Sequence, residues 1–142
     1  MFAECLEAAR CECGFKVLAW VAMPEHVHLL IVPDLPNHPV PQLLRRIKEP
    51  TARRMLSLWR ERDDPVLAEL IDIRGRSHFW QRGGGYDRNI FAGPELVEKA
   101  RYIEENPVRR GLVDVPTAWA WSSARCREDE GAGIVSVDPM EC

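Results

Sequence analysis

The stretch FKVLAWVA, Phe15 to Ala22, is followed by Met23-Pro24-Glu25 and then by HVHLLIV, His26 to Val32. Both runs are short, apolar and rich in β-branched or aromatic residues, which predicts strands. The proline-containing break between them predicts an antiparallel hairpin. Residues 2–11 ahead of it read as a short helix, and Asp34 to Pro41, with three prolines, reads as a connector. Alternation along a strand sends His26 and His28 to one face and Val27 to the other, a geometry that can hold one metal ion.

Beyond the connector, Leu44, Ile47, Thr51, Met55 and Leu58 recur at helical spacing. This predicts a helix starting near Pro41 that kinks or restarts at Pro50, because an interior proline removes a hydrogen bond and crowds the preceding turn. Residues 63–77 form an excursion with a short helix at Val66–Ile71, and Phe79 to Arg82 reads as a short strand ahead of Gly83-Gly84-Gly85. A further helix opens at Gly93-Pro94 and closes at Asn106-Pro107, with Leu96, Val97, Ala100 and Ile103 as its apolar stripe. After Gly111 the chain is loop-like, with Trp119, Trp121 and Ser122-Ser123 folding back on the body.

At 142 residues with 46% hydrophobic content, the chain suits one domain, placed at residues 1–125. Residues 126–142 are acidic and expected to be a flexible tail. The first fifteen residues lack the basic start and apolar core of a secretory signal, and no run approaches the roughly 20 apolar residues of a membrane span. Five unevenly placed cysteines then read as reduced thiols in a cytoplasmic protein.

The net charge of −3 hides a segregated distribution. Between Gln42 and Arg62 seven basic residues (Arg45, Arg46, Lys48, Arg53, Arg54, Arg60, Arg62) face only Glu49 and Glu61, a local balance of +5. Such a segment suits a phosphate backbone, although it is also what an ordinary solvated helix face looks like.

Tyr102 projects away from the apolar stripe of its helix, and Asn106 lies four residues later on the same flank. Its amide oxygen is therefore a candidate ligand for an ion beside the tyrosine hydroxyl, while asparagine before proline is also a common helix stop.

The stretch Ala19 to Leu30 (AWVAMPEHVHLL) resembles the signature of the single-tyrosine HUH transposases, in which two histidines flank a bulky hydrophobe. Thr51-Ala52-Arg53-Arg54, Phe79-Trp80-Gln81-Arg82, Tyr86-Asp87-Arg88, Tyr102 to Val113 (YIEENPVRRGLV) and Trp119-Ala120-Trp121-Ser122-Ser123 follow in the same order, and together resemble the REP-associated tyrosine transposases. The resemblance runs from about Trp20 to Ser123. It implies an α+β fold, a ferredoxin-like antiparallel sheet with helices on one face. It also implies a metal-dependent enzyme that cuts and rejoins single-stranded or hairpin DNA through a 5′-phosphotyrosine.

On this resemblance His26, His28 and Asn106 hold Mg²⁺ or Mn²⁺ and Tyr102 is the nucleophile. Arg45, Arg46, Lys48, Arg53, Arg54, Arg82, Arg109 and Arg110 bind DNA phosphates, while Phe79 or Trp80 stacks an unpaired base. Tyr86, after three glycines, is assigned to structure or DNA contact. The sequence departs from the family's pattern at Glu25, where asparagine is usual, and at Pro50. The family's first strand, ahead of the opening helix, is missing, so the sheet is expected to be completed from an upstream segment or by a second chain. Two other readings remain: a DNA-binding protein that has lost cleavage, and a binding module built on zinc at Cys11, Cys13, His26 and His28.

Overall fold

The computed structural model describes residues 1–72, 74–81, 87–90, 93–128 and 133–140. Helix α1 (Phe2–Cys13) buries Ala3, Leu6, Ala9 and Cys13 along one side and stops at Gly14, whose φ of 70° is the left-handed conformation glycine adopts most easily. Strands β1 (Lys16–Ala22) and β2 (Val27–Val32) follow as the expected antiparallel hairpin, with Trp20 opposite Leu29 and Val21 opposite His28. A bond from Met23 N–H to His26 C=O, 2.8 Å, closes the turn. An irregularity between Val17 and Ala19 shifts the register once.

Helix α2 (Val40–Glu61) runs unbroken through Pro50, so the expected restart does not occur. Around the proline, Thr51 Oγ1 donates to Ile47 C=O at 2.7 Å and the Trp80 indole donates to Lys48 C=O at 2.8 Å, while the carbonyl whose N–H partner Pro50 removes is that of Arg46. Helices α3 (Val66–Glu69), α4 (Gly93–Glu104), α5 (Asn106–Arg109) and α6 (Ala124–Glu128) complete the described elements, with a 3₁₀ turn at Pro116–Ala118. Phe79 to Gln81 does not form the expected strand; instead Ser77 bridges Ile71, and Asp72 caps the intervening turn by accepting from Arg74 and Arg76 N–H.

Strand alternation divides the interior into two cores. Val17 and Trp20 pack with α1 and with Leu43 and Ile47 of α2, which are the helices sharing one face. Leu18, Ala19, Val21 and Leu30 pack with Ala100 and Ile103 of α4, which covers the opposite face. This α+β arrangement matches the expected class, with the difference that α4 puts a helix on the second face of the sheet as well.

The edge of β1 away from β2 is covered by the C-terminal third of the chain. Trp121 C=O accepts from Ala22 N–H, Ser123 N–H donates to Trp20 C=O, and Asp138 N–H donates to Val17 C=O at 2.7 Å. Within the segment expected to be a flexible tail, residues 133–140 are thus docked, with Val135 1% exposed beneath the Trp20 indole. Glu104 is buried on α4, where it accepts from Ser123 Oγ at 2.6 Å and from Arg127 Nε at 2.8 Å. Arg127 also donates to Leu18 C=O, so one paired charge joins α4, α6 and β1.

Candidate active site

His28 lies on the α4 face of β2, since the strand period puts it on the side of Leu30. His26 sits in the turn just ahead of the strand. The two imidazoles meet edge to face with centroids 4.8 Å apart, and the Tyr102 ring stands 6.3 Å from His28. Burial holds the His28 pKa below its ordinary value, helped by the neighbouring His26 and by the charge of Lys99.

The helix carrying Tyr102 ends at Glu104, close to the expected stop, and after Glu105 a second short helix, α5, resumes from Asn106. Glu105 keeps a right-handed helical backbone between α4 and α5, and Glu105 and Arg109 N–H still bond four residues back. Pro107 has no N–H to offer Ile103 C=O. The Asn106 side chain compensates: its Nδ2 donates to Tyr102 C=O at 2.8 Å and reaches Ile103 C=O at 3.4 Å. Carbonyls only accept, so it is the amide nitrogen, and not Oδ1, that is held toward the helix. Asn106 is 8% exposed, whereas Tyr102 is 39% exposed and accessible to a large substrate.

Because Glu105 keeps a right-handed helical backbone between α4 and α5, Lys99, Tyr102, Asn106 and Arg109 follow one another at spacings of three, four and three. Lys99 Nζ lies 4.9 Å and Arg109 Cζ 4.8 Å from the Tyr102 ring centroid. Lys99 was missed in the sequence, where only its i−3 spacing from Tyr102 signalled it. A pocket of about 120 Å³ beside the ring is lined by Arg88, Glu95, Glu98, Lys99 and Tyr102. Across the site, Arg110 pairs with Glu25 at 2.9 Å, tying the segment after α5 to the histidine turn.

The structure therefore brings together His26, His28, Tyr102, Lys99 and Arg109, with Asn106 one turn along. It does not bring the α2 cations there: Arg45, Arg46, Lys48, Arg53 and Arg54 belong to the helix on the other face of the sheet. Arg45 pairs with Glu49, Arg46 with Glu12 and Arg54 with Glu4, while Lys48 lies over the Trp80 ring. Arg82 and Tyr86 fall outside the described residues. Among those described, no group of three or more His, Cys, Asp or Glu is placed to hold a metal ion. The zinc arrangement finds no such cluster: Cys13 is buried in the α1–α2 core, on the face away from His28.

The IS200-like transposase family matches residues 1–106, which takes in the histidine hairpin, Tyr102 and Asn106. The chain belongs to that family. Among solved structures it resembles a REP-associated tyrosine transposase bound to a REP hairpin, with 19% identity and a TM-score of 0.59 over 99% of this chain and 74% of the other. That likeness supports the fold. No curated protein matches significantly. Among the described residues of this transposase relative, no helix is long and apolar enough to cross a membrane.

Proposed function

We propose that the chain cuts and rejoins single-stranded DNA by transesterification at Tyr102. The observation that carries this reading is the Tyr102 ring set against the His26–His28 pair, exposed on a helix with the Asn106 amide one turn on.

The donor set suits a divalent cation. Two imidazoles lie side by side, His28 is held toward its neutral, ligating form, and Asn106 Nδ2 is engaged so that Oδ1 remains to coordinate. Mg²⁺ or Mn²⁺ bound by His26, His28 and Asn106 supplies Lewis-acid polarisation of the attacked phosphate and offsets the charge developing on it.

The chain's own groups perform the exchange. Tyr102 Oη attacks phosphorus and loses its proton to solvent, forming a Tyr–O–P bond as the P–O3′ bond breaks and the departing O3′ takes up a proton. The product is a 5′-phosphotyrosine and a free 3′-hydroxyl. Because the new ester conserves the phosphodiester energy, a 3′-hydroxyl can reverse the attack and join strands, which suits transposition. The solved neighbour's hairpin makes hairpin DNA the substrate class to test first.

The test is incubation with an oligonucleotide containing a hairpin and a single-stranded flank, with Mn²⁺ present. A covalent protein–DNA adduct is expected, and His26→Ala or His28→Ala should abolish it while sparing most DNA affinity, since phosphate contacts dominate binding. Tight binding without any adduct would instead support a DNA-binding protein that has lost cleavage.

A further inference from the structure

Resting on that reading, we propose that Lys99 and Arg109 form a phosphate subsite around Tyr102 that receives the phosphate to be attacked. Both cations lie within 5 Å of the ring centroid, on the helical stripe that carries the nucleophile. Among the described residues no carboxylate pairs with Lys99. Arg88, the pocket's other cation, is engaged with Glu95 at 2.5 Å. Arg109 shares its guanidinium with the exposed Glu105 at 3.2 Å, a contact a phosphate can displace because exposed pairs contribute little.

A phosphodiester is the anion that fits. A guanidinium fork matches phosphate oxygens, an ammonium adds a point charge, and the phenol between them needs phosphorus within reach. Glu98 also lines the pocket and opposes an anion there, so Lys99 alone is a weak receptor and Arg109 is needed as its partner. The α2 arginines cannot serve the same phosphate, because the sheet stands between.

The experiment measures hairpin-oligonucleotide affinity against salt concentration, and separately the rate of adduct formation, for Lys99→Met, Arg109→Met and Lys99→Arg, with thermal melts to confirm folding. Each methionine variant should flatten the slope of log affinity against log salt by about 0.7, the loss of one phosphate contact on a single strand. Adduct formation should slow by about a hundredfold, the effect of removing one charge-stabilising donor. Lys99→Arg should retain the slope. Unchanged slopes in both methionine variants overturn the subsite even if the wild type forms its adduct. Flattened slopes with no wild-type adduct keep the subsite and overturn the transesterification reading.

Discussion

Asn106 has two tasks whose chemistry can be separated. Its Nδ2 fills in for the N–H that Pro107 cannot supply, and that contact leaves Oδ1 without a helix partner. Asn106→Asp replaces the donor with an oxygen facing two carbonyl oxygens. The variant should lose about 1–3 kcal/mol in urea unfolding, the cost of a broken buried hydrogen bond; stability equal to wild type would show that the amide does not hold this turn. His28 gives a pH prediction. Its folded pKa lies below the ordinary 6.5 through burial first, then His26, then Lys99. Between 6.5 and that lower value the unfolded chain binds more protons, so its contribution to stability is complete above pH 6.5 and falls as the pH drops through this window. A histidine NMR titration should place His28 below 6.5 and move it upward in Lys99→Met, whereas a midpoint at or above 6.5 in the wild type contradicts the assignment. The approach of His26, His28 and Tyr102 was legible in part, since strand alternation and helical spacing are local, although His26 sits in the turn rather than on the strand. Lys99 shares the predicted helix with Tyr102, three residues away, but a lysine on a helix surface carries no signal of its own, whereas Arg109 reaches the ring only because helix resumes after Glu105.

The hairpin was legible in its two apolar runs and its proline break, down to within a residue at the start of each strand. What covers its edges was not, because those partners lie a hundred residues away. Val17, Trp20 and Ala22 use their outward backbone groups on residues 121–123 and 138, so by antiparallel alternation His28, Leu30 and Val32 face β1 and Val27, Leu29 and Ile31 face away. Among the described residues no hydrogen bond reaches those three from the far side. Amide exchange in the isolated chain should therefore be faster at Val27, Leu29 and Ile31 than at His28, Leu30 and Val32. Equal protection on both sides would mean that another strand, such as one from a second copy, completes the sheet. The α2 helix makes a related point. Pro50 predicts a break, yet α2 runs through it, and the Trp80 indole that bonds Lys48 C=O beside it is brought there only by the tertiary structure.

At the scale of the molecule, the sheet separates two chemistries. The basic helix lies on one face and the histidine–tyrosine site on the other, so a DNA strand that uses both must pass around the sheet, and the net charge of −3 says little about either surface. The C-terminal segment read as a tail from its acidity, but Val135 and Asp138 dock onto β1, a role that two residues among many carboxylates do not announce. The central claim is that Tyr102 is the residue joined to DNA. It is set against His28 and flanked by two cations, while Tyr86 follows three glycines in the sequence. Peptide mapping of the protein–DNA adduct tests this most directly. The account predicts the nucleotide on the peptide containing Tyr102, with the adduct lost in Tyr102→Phe and kept in Tyr86→Phe; a nucleotide found on Tyr86, or an adduct surviving in Tyr102→Phe, contradicts it.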